Sequence, residues 1–379
     1  MTPEIVPVRT KQEREVFIRV PFDLYADDPS WVPPLLFDRR DQISPKHPFF
    51  RHADMQAFVA YDNGKAVGRI SAQIDHLNAD RGRPGLGYFG LIDAIDDPDV
   101  FAELFQAAEG WLKDRHMSEV LGPMNLNINQ EVGLLVDGFD TKPYFMMGHS
   151  KPYIGQRIEQ AGYHAVKDLL AYLMDPDFKI PGVMTAVEKR LKGRMVIRPI
   201  DRKNRDRDLK AMCSIFNDAW ENNWGFVPFT DDEFLTIGHE MLLIVSDDFI
   251  QIAEVDGEPA AFIVMLPNVN EAIADLNGRL LPFGWLKLLW RLKVRYPHSA
   301  RVPLMGVRRK FQRTRLGPGL AFAVIHAVRN ASVARGIDSV EMSWILENNA
   351  GMRNIIETIG GRVSKRYRMY EKNLAATTA

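Results

Sequence analysis

The sequence predicts an α/β protein built from two similar halves, and three observations lead there. Two hairpin signals, Asp62-Asn63-Gly64-Lys65 and Asp256-Gly257-Glu258-Pro259, each join two apolar runs of strand length and lie about 190 residues apart, half the chain. The elements read after each hairpin come in the same order. The chain has 379 residues, too many for one ordinary core, so two or three domains are expected.

The elements of the first half are read in order. Residues 55–61 are apolar and reach the first turn, and 66–74 form the returning strand. Residues 85–92 read as the next strand. An amphipathic helix follows over 100–115, preceded by Asp96-Asp97-Pro98-Asp99, residues that cap a helix N-terminus well. Residues 118–122 are a strand, and 153–161 a short helix ending at Gly162.

The second half repeats the series. Residues 249–255 and 260–266 flank the second turn, 301–307 read as a strand, and 319–335 as a helix ending at Gly336. A strand over 339–345, a helix over 350–359 ending at Gly360, and a last strand over 366–371 complete it. Proline, glycine and a basic helix interrupt the pattern near 176–195, which is read as the linker between a first domain at 1–185 and a second at 195–379.

One element is extra. Residues 278–296 carry Trp285, Leu288, Leu289 and Leu292 at helical spacing, with Lys287, Arg291 and Arg295 on another side. The favoured reading is a helix that packs into the core with a basic outer face. The alternative is a helix that lies on a membrane surface or covers an acyl chain.

Composition is ordinary for a folded protein, with 46% apolar and 26% charged residues. A single cysteine, Cys213, excludes an internal disulfide framework. The N-terminus lacks a signal peptide's apolar run, and no stretch approaches the roughly 20 apolar residues of a spanning helix, so a cytoplasmic location is expected. The nine histidines show no metal-ligand spacing, and no metal is expected. There is no G-x-S-x-G elbow, H-E-x-x-H or P-loop.

Charge is unevenly placed. Between Leu276 and Ile337 there are thirteen arginines and lysines and no acid, leaving 35 basic residues against 49 acids elsewhere. That window is expected to meet an anion, unless acids distant in sequence pair with it. Within it, Val307-Arg308-Arg309-Lys310-Phe311-Gln312-Arg313-Thr314-Arg315-Leu316-Gly317-Pro318-Gly319 runs from a strand into a long helix. Glycines at a helix N-terminus let backbone N–H groups approach a phosphate, where the helix dipole adds about half a positive charge.

These residues resemble the acyl-coenzyme A loop of the GNAT acyltransferase superfamily, V-x-P-x-Y-Q-x-x-G-x-G. Val307, Phe311, Gln312 and Gly317 match in register, and Arg315 replaces the first glycine. A second register sets Gly317 and Gly319 on the two glycines, with Thr314 at the glutamine position; the first fits the valine and aromatic as well. Downstream, Asn349 precedes Gly360 at the spacing of the superfamily's N-x-x-A-x-x-L-Y-x-K-x-G-F. Ile356 stands where that motif often has a general-acid tyrosine, so that donor is absent or is supplied by another residue such as Tyr367 or Tyr370.

The resemblance implies two GNAT-like domains, each with a mixed, mostly antiparallel central sheet flanked by helices. It implies an acyl-CoA-dependent N-acyltransferase whose donor, acetyl-CoA or a longer acyl-CoA, is bound by the second half. The backbone of Met305 and Val307, with Gln312, Arg313, Thr314, Arg315, Leu316, Gly317, Pro318, Gly319 and Asn349, would hold the donor. Glu341, Glu347 or a water would be the base, a choice the sequence leaves open, and Tyr367 is the further catalytic candidate. Trp220, Asn223 and Trp224, in the region that covers the acceptor in this superfamily, would meet an amine or amino-acid-like acceptor, as would Asn125 and Asn127. Trp220 and Trp224 are also at common core spacing, and the asparagine-rich stretch also reads as capped turns.

The first half resembles the same fold without the loop. Asp93, Asp96, Asp97 and Asp99 stand where the anion would sit and would repel it, which marks a degenerate copy. Such tandem pairs are similar to the Fem-type aminoacyl transferases, which keeps a transfer RNA as an alternative partner, although the basic window lacks a recognisable RNA-binding motif. A module that binds acyl-CoA or another anion without turnover is the remaining alternative. No obligate protein partner is evident.

Overall fold

The structure is a computed structural model that describes residues 3–179, 182, 193–314 and 316–375, and the side chains of these except 80 and 81. It divides into two compact units. Unit 1 comprises Met1–Leu169, Ile273–Leu281 and Lys365–Ala379, and unit 2 comprises Leu170–Ala272 and Pro282–Ser364. The units are therefore not the contiguous halves 1–185 and 195–379. Most of the expected linker lies outside the described residues.

Unit 1 begins with β1 (Glu4–Pro7), α1 (Lys11–Leu24) and α2 (Leu36–Gln42), for which the sequence patterns gave no element. The expected series follows as β2 (Ala53–Asp62), β3 (Lys65–Asp75), β4 (Leu86–Ala94), α3 (Pro98–Lys113) and β5 (Glu119–Gly122). After it come β6 (Met124–Asn125), β7 (Glu131–Val132), β8 (Leu134–Asp137), α4 (Tyr153–Gln160) and β9 (His164–Met174), which belongs to unit 2 from Leu170 on. Asn63 and Gly64 both have positive φ, 48° and 77°, as the tight β2–β3 hairpin turn requires. The sheet runs β1-β2-β3-β4-β5, antiparallel except for the parallel β4–β5 pair. Beyond β5 lies the last strand of the chain, pairing Tyr370 with Gly122 and Asn373 with Glu119. Phe89, Phe101, Leu104, Phe105 and Ile158 form the core under α3 and α4, and Phe17, Ile18 and Val59 pack the other face.

Unit 2 repeats the design. It contains β10 (Met195–Pro199), α5 (Arg205–Trp220), α6 (Asp231–Ile244), β11 (Ile250–Val255) and β12 (Glu258–Pro267). Next are α7 (Val269–Ile273), α8 (Gly284–Trp290), β13 (Ser299–Val307), α9 (Arg309–Gln312) and α10 (Gly317–Ala334). β14 (Ser339–Leu346) and α11 (Ala350–Thr358) follow, and β15 (Arg362–Asn373) starts in unit 2 and belongs to unit 1 from Lys365 on. Asp256 and Gly257 have φ of 53° and 83°, so the second hairpin uses the same turn as the first. The order is β10-β11-β12-β13-β14, again antiparallel except for the final parallel pair. Each unit is thus a mixed, mostly antiparallel sheet flanked by helices. Phe249, Phe262, Ile263, Leu320 and Val324 fill the core.

The extra element departs from the favoured reading. It is helical over α8 and a π-helical turn at Arg291–Arg295, but no residue of α8 is buried. Only Leu292 of the π turn is buried, so this is not a core-packing helix. The 3.6-residue spacing was visible in the sequence, but spacing alone does not say which side faces the protein. Among the described residues, no helix is long and apolar enough to cross a membrane.

Candidate functional site

The site is built where β13 and β14 part. The two strands pair in parallel from Ser299 opposite Ser339 to Val302 opposite Met342, and then stop. β13 continues to Val307 and β14 to Leu346 without pairing to each other. The register between β12 and β13 shifts at the same place. One residue of β12, Met265, spans the interval that Val302 and Pro303 occupy on β13. Such a bulge bends and twists its strand, which turns β13 away from β14.

Antiparallel pairing alternates the direction of backbone groups. The Arg308 N–H donates to the Ala260 carbonyl at 2.9 Å, and Gly306 and Leu304 face β12 in the same sense. Met305 and Val307 therefore turn their backbone groups away from β12, to the side that β14 has left. Two side chains hold their carbonyls. The Trp220 indole N–H donates to Met305 O at 3.1 Å, and Gln312 Nε2 donates to Val307 O at 2.8 Å. The matching N–H groups point to the same open side, where a ligand's carbonyl can accept from them.

The segment after β13 turns tightly before α10. Thr314 donates its hydroxyl to Phe311 O at 2.7 Å and accepts the Leu316 N–H at 3.1 Å. Gly317 begins α10 against this turn, where an added Cβ would lie 2.7 Å from Phe311 O and 2.9 Å from the Gln312 Cα. Glycine is therefore required at 317 by close packing. The first turn of α10 has no acidic side chain, and Pro318 suits the helix start. Arg313 is exposed beside it, and Arg315 lies outside the described residues. This arrangement suits an anion, because the N–H groups and dipole of an 18-residue helix end here.

The basic window is less free than its composition suggested. Arg309 pairs with Asp218 and Glu221, and Lys310 with Glu258 at 2.7 Å. Arg329 pairs with Asp177 at 2.7 Å and Arg335 with Asp248 at 2.5 Å. Arg308 bonds Pro259 O and the Ser214 hydroxyl. The acids come from other segments of unit 2, so the sequence window hid them.

Below the parting, Glu341 on β14 lies in register with Arg301 on β13. The Ser343 hydroxyl donates to Glu341 Oε1 at 2.6 Å and accepts from Arg301 Nε at 2.8 Å. All three residues are buried, with Glu341 fully so. Glu341 is thus built to hold the two strands together at their last paired rungs. Glu347 is half-buried on the turn after β14, and its carbonyl accepts from Arg353 at 2.8 Å. Asn349 caps α11, accepting the Met352 N–H at 3.1 Å. Tyr367 belongs to unit 1, is fully buried, and donates its hydroxyl to Gly148 O at 3.3 Å.

The proposed acceptor residues divide. Trp220 stacks on Phe216 with ring centres 5.0 Å apart while it holds the Met305 carbonyl. Asn223 and Trp224 follow it, half-buried, on the turn toward Phe226. Asn125 and Asn127 belong to unit 1. Asn125 bonds the Leu91 N–H and Glu131, and Asn127 accepts the Asn129 N–H at 3.0 Å. Sequence reasoning did not single out Arg301 or Ser343, since alternation along a strand marks them only as buried positions.

In unit 1 the matching place is filled by the chain itself. β4 and β5 pair only from Leu86 opposite Glu119 to Tyr88 opposite Leu121. Past that rung, Gln73 Nε2 bonds the Met124 and Leu126 carbonyls, and Gly90 packs so closely that an added Cβ would lie 1.8 Å from Met124 O. Three of the four aspartates also have structural work. Asp93 pairs with buried Arg69 at 2.7 Å, Asp96 pairs with Arg157, and Asp97 caps α3.

Two sheets with this order, each with a bulged strand parting from its parallel neighbour, define the tandem GCN5-related N-acetyltransferase fold. The tandem GNAT protein from the clavulanic acid biosynthesis pathway superposes with a TM-score of 0.57 at 11% identity, covering 99% of this chain and all of that one. No protein-family model matches the chain. It is 51% identical over 365 residues to Protein YghO of Escherichia coli, covering 96% of this chain and 94% of that protein. It is 47% identical over 373 residues to the Bacterial ceramide synthase of Caulobacter vibrioides, covering 98% and 97%. The chain belongs to the family that contains these two proteins.

Proposed function

We propose that this protein is an acyl-CoA-dependent N-acyltransferase whose donor is held by unit 2. The observation that carries the reading is the parting of β13 from β14, with the Met305 and Val307 N–H groups turned to the open side beside the N-terminus of α10. The fold of a tandem N-acetyltransferase supports the same class of reaction. The name of the 47% identical relative supports a long-chain donor and a long-chain amino alcohol as acceptor, since a ceramide is the amide of those two components.

Each residue then has a stated role. The start of α10 and Arg313 neutralise the coenzyme A diphosphate. The Met305 and Val307 N–H groups bind and orient the donor, with a backbone N–H polarising the thioester carbonyl where charge develops. Trp220 and Gln312 fix that strand by its carbonyls. Glu341, Ser343 and Arg301 hold the base of the opening. Glu347, on the turn after β14 and less buried than Glu341, accepts the proton from the attacking amine. The amine nitrogen bonds to the acyl carbon, the carbon–sulfur bond breaks with its electron pair on sulfur, and coenzyme A leaves as the thiolate, which takes a proton from solvent.

The test is to incubate the protein with palmitoyl-CoA and sphinganine, and to follow thiol release and the amide by mass spectrometry. Equal amounts of thiol and amide support the reading. Donor binding with no amide from this or any other amine, including short amines and amino acids, overturns it in favour of a binding module.

A further inference from the structure

The outer side of α8 and the turn that follows it is apolar and faces outward. Phe283, Trp285, Leu286, Leu289, Trp290 and Val294 are 73%, 47%, 48%, 51%, 51% and 69% exposed. The inward side is made by Gly284, Leu288 and Leu292, which alternate with them at helical spacing. Leu243, at the end of α6, is 73% exposed beside the same patch, because Lys293 reaches back to its carbonyl at 3.3 Å. Single exposed apolar side chains are ordinary, but a contiguous cluster with two tryptophans marks an interaction surface.

The charges around the patch identify its partner. Lys287, Lys293 and Arg295 are exposed on the segment, which carries no aspartate or glutamate of its own between Phe283 and Arg295. A second copy docked face to face would bring these cations together, because a twofold contact pairs the same surface with itself. An anionic bilayer offers the complement to both features. Its headgroups meet the lysines and arginine, its acyl boundary takes the apolar side chains, and tryptophan is favoured at that depth.

We propose that the segment from Phe283 to Arg295 docks unit 2 onto an anionic membrane surface, with Trp285, Leu289 and Trp290 entering the headgroup region. This inference is independent of the acyl-transfer reading, because it rests on exposure and charge at a different face of the sequence.

The experiment is co-sedimentation of the full chain with phosphatidylcholine vesicles, with and without phosphatidylglycerol. Wild type is expected to bind the phosphatidylglycerol vesicles at least about tenfold more tightly, since each cation near an anionic surface is worth about 1 kcal/mol, and to release in high salt. Trp285→Ser/Leu289→Ser should lose binding to both vesicles, and Lys293→Glu/Arg295→Glu should lose the preference for the anionic ones. All four positions are exposed, so unchanged unfolding temperatures separate lost docking from lost folding. Absence of vesicle binding by wild type, or equal binding by Trp285→Ser/Leu289→Ser, overturns the proposal. A wild-type dimer in sedimentation velocity that the same variant abolishes assigns the face to a second copy instead. A weakened palmitoyl-CoA affinity in that variant with vesicle binding intact assigns it to the donor's acyl chain.

Discussion

The Asn125 side-chain carbonyl accepts the Leu91 N–H at 2.8 Å, so a backbone donor of β4 in unit 1 is already satisfied by the chain itself. In unit 2 the equivalent strand keeps Met305 and Val307 turned to an open side. The contrast between the two copies is therefore physical: one fills the gap beside its bulged strand, and the other leaves it for a ligand. Asn125→Ala should leave the Leu91 N–H without its partner and cost about 1–3 kcal/mol, read as a lower urea midpoint. Donor affinity should not change, and a large loss of affinity would show that unit 1 takes part in binding.

Glu341→Ala is expected to destabilise the fold more severely. Arg301 is 2% exposed, and removing the carboxylate opposite it leaves a buried guanidinium short of compensation. Losses of this kind are typically about 3–5 kcal/mol. Thermal unfolding measures it, and a change under 1 kcal/mol, on the order of a surface substitution, would contradict the clamp.

Glu347→Gln separates the proton acceptor from the clamp. The variant should fold as wild type and bind donor equally, with kcat lower by about 10²–10⁴. Unchanged kcat would remove Glu347 from the mechanism.

The acid response of unit 1 follows from Asp168. Burial acts to raise its carboxyl, but hydrogen bonds from Arg368 and Arg366, each 2.8 Å away, outweigh it and hold the group below its ordinary value of 3.8. A folded-state value depressed in this way adds stability that is full above the unfolded value and fades as pH falls through the folded one. Stability should therefore decline below about pH 4, and Asp168→Asn should be less stable at neutral pH with a shallower acid decline. Chemical denaturation across pH reads both.

Cys213 should be inert in the native protein. Burial, with Asp231 adding to it, pushes its thiol up to about 12, so almost no thiolate forms near neutrality. Modification by a thiol reagent should follow the unfolding rate, and fast labelling of the folded chain would contradict the packing around α5.

Much of this protein is legible in its sequence because the strongest signals are local. The two hairpins depend on Asn63-Gly64 and Asp256-Gly257, which adopt positive φ cheaply, and the loop into α10 depends on Gly317. What escaped is what local pattern does not encode. The last strand lies beside β5, and nothing near Tyr370 announces a partner at Gly122. The acids that neutralise Arg309, Lys310, Arg329 and Arg335 are distant in sequence. The periodicity of α8 was clear, yet the side that faces solvent depends on what the rest of unit 2 offers it. Arg301, Ser343 and Glu341 come together only because two parallel strands fall into register.

The central claim is that unit 2 binds an acyl-CoA at the start of α10, and the direct measurement is the thermal shift of wild type and Gly317→Asp with palmitoyl-CoA. A ligand at 100 times its dissociation constant adds about 2.7 kcal/mol of stability. Wild type should show that shift. Gly317→Asp, which places a side chain against Phe311 O and a negative charge at the helix N-terminus, should lose it, and Arg313→Glu, at an exposed position clear of that close packing, should weaken it while remaining folded. A wild type that no acyl-CoA stabilises, or a shift that survives in Gly317→Asp, would contradict the account.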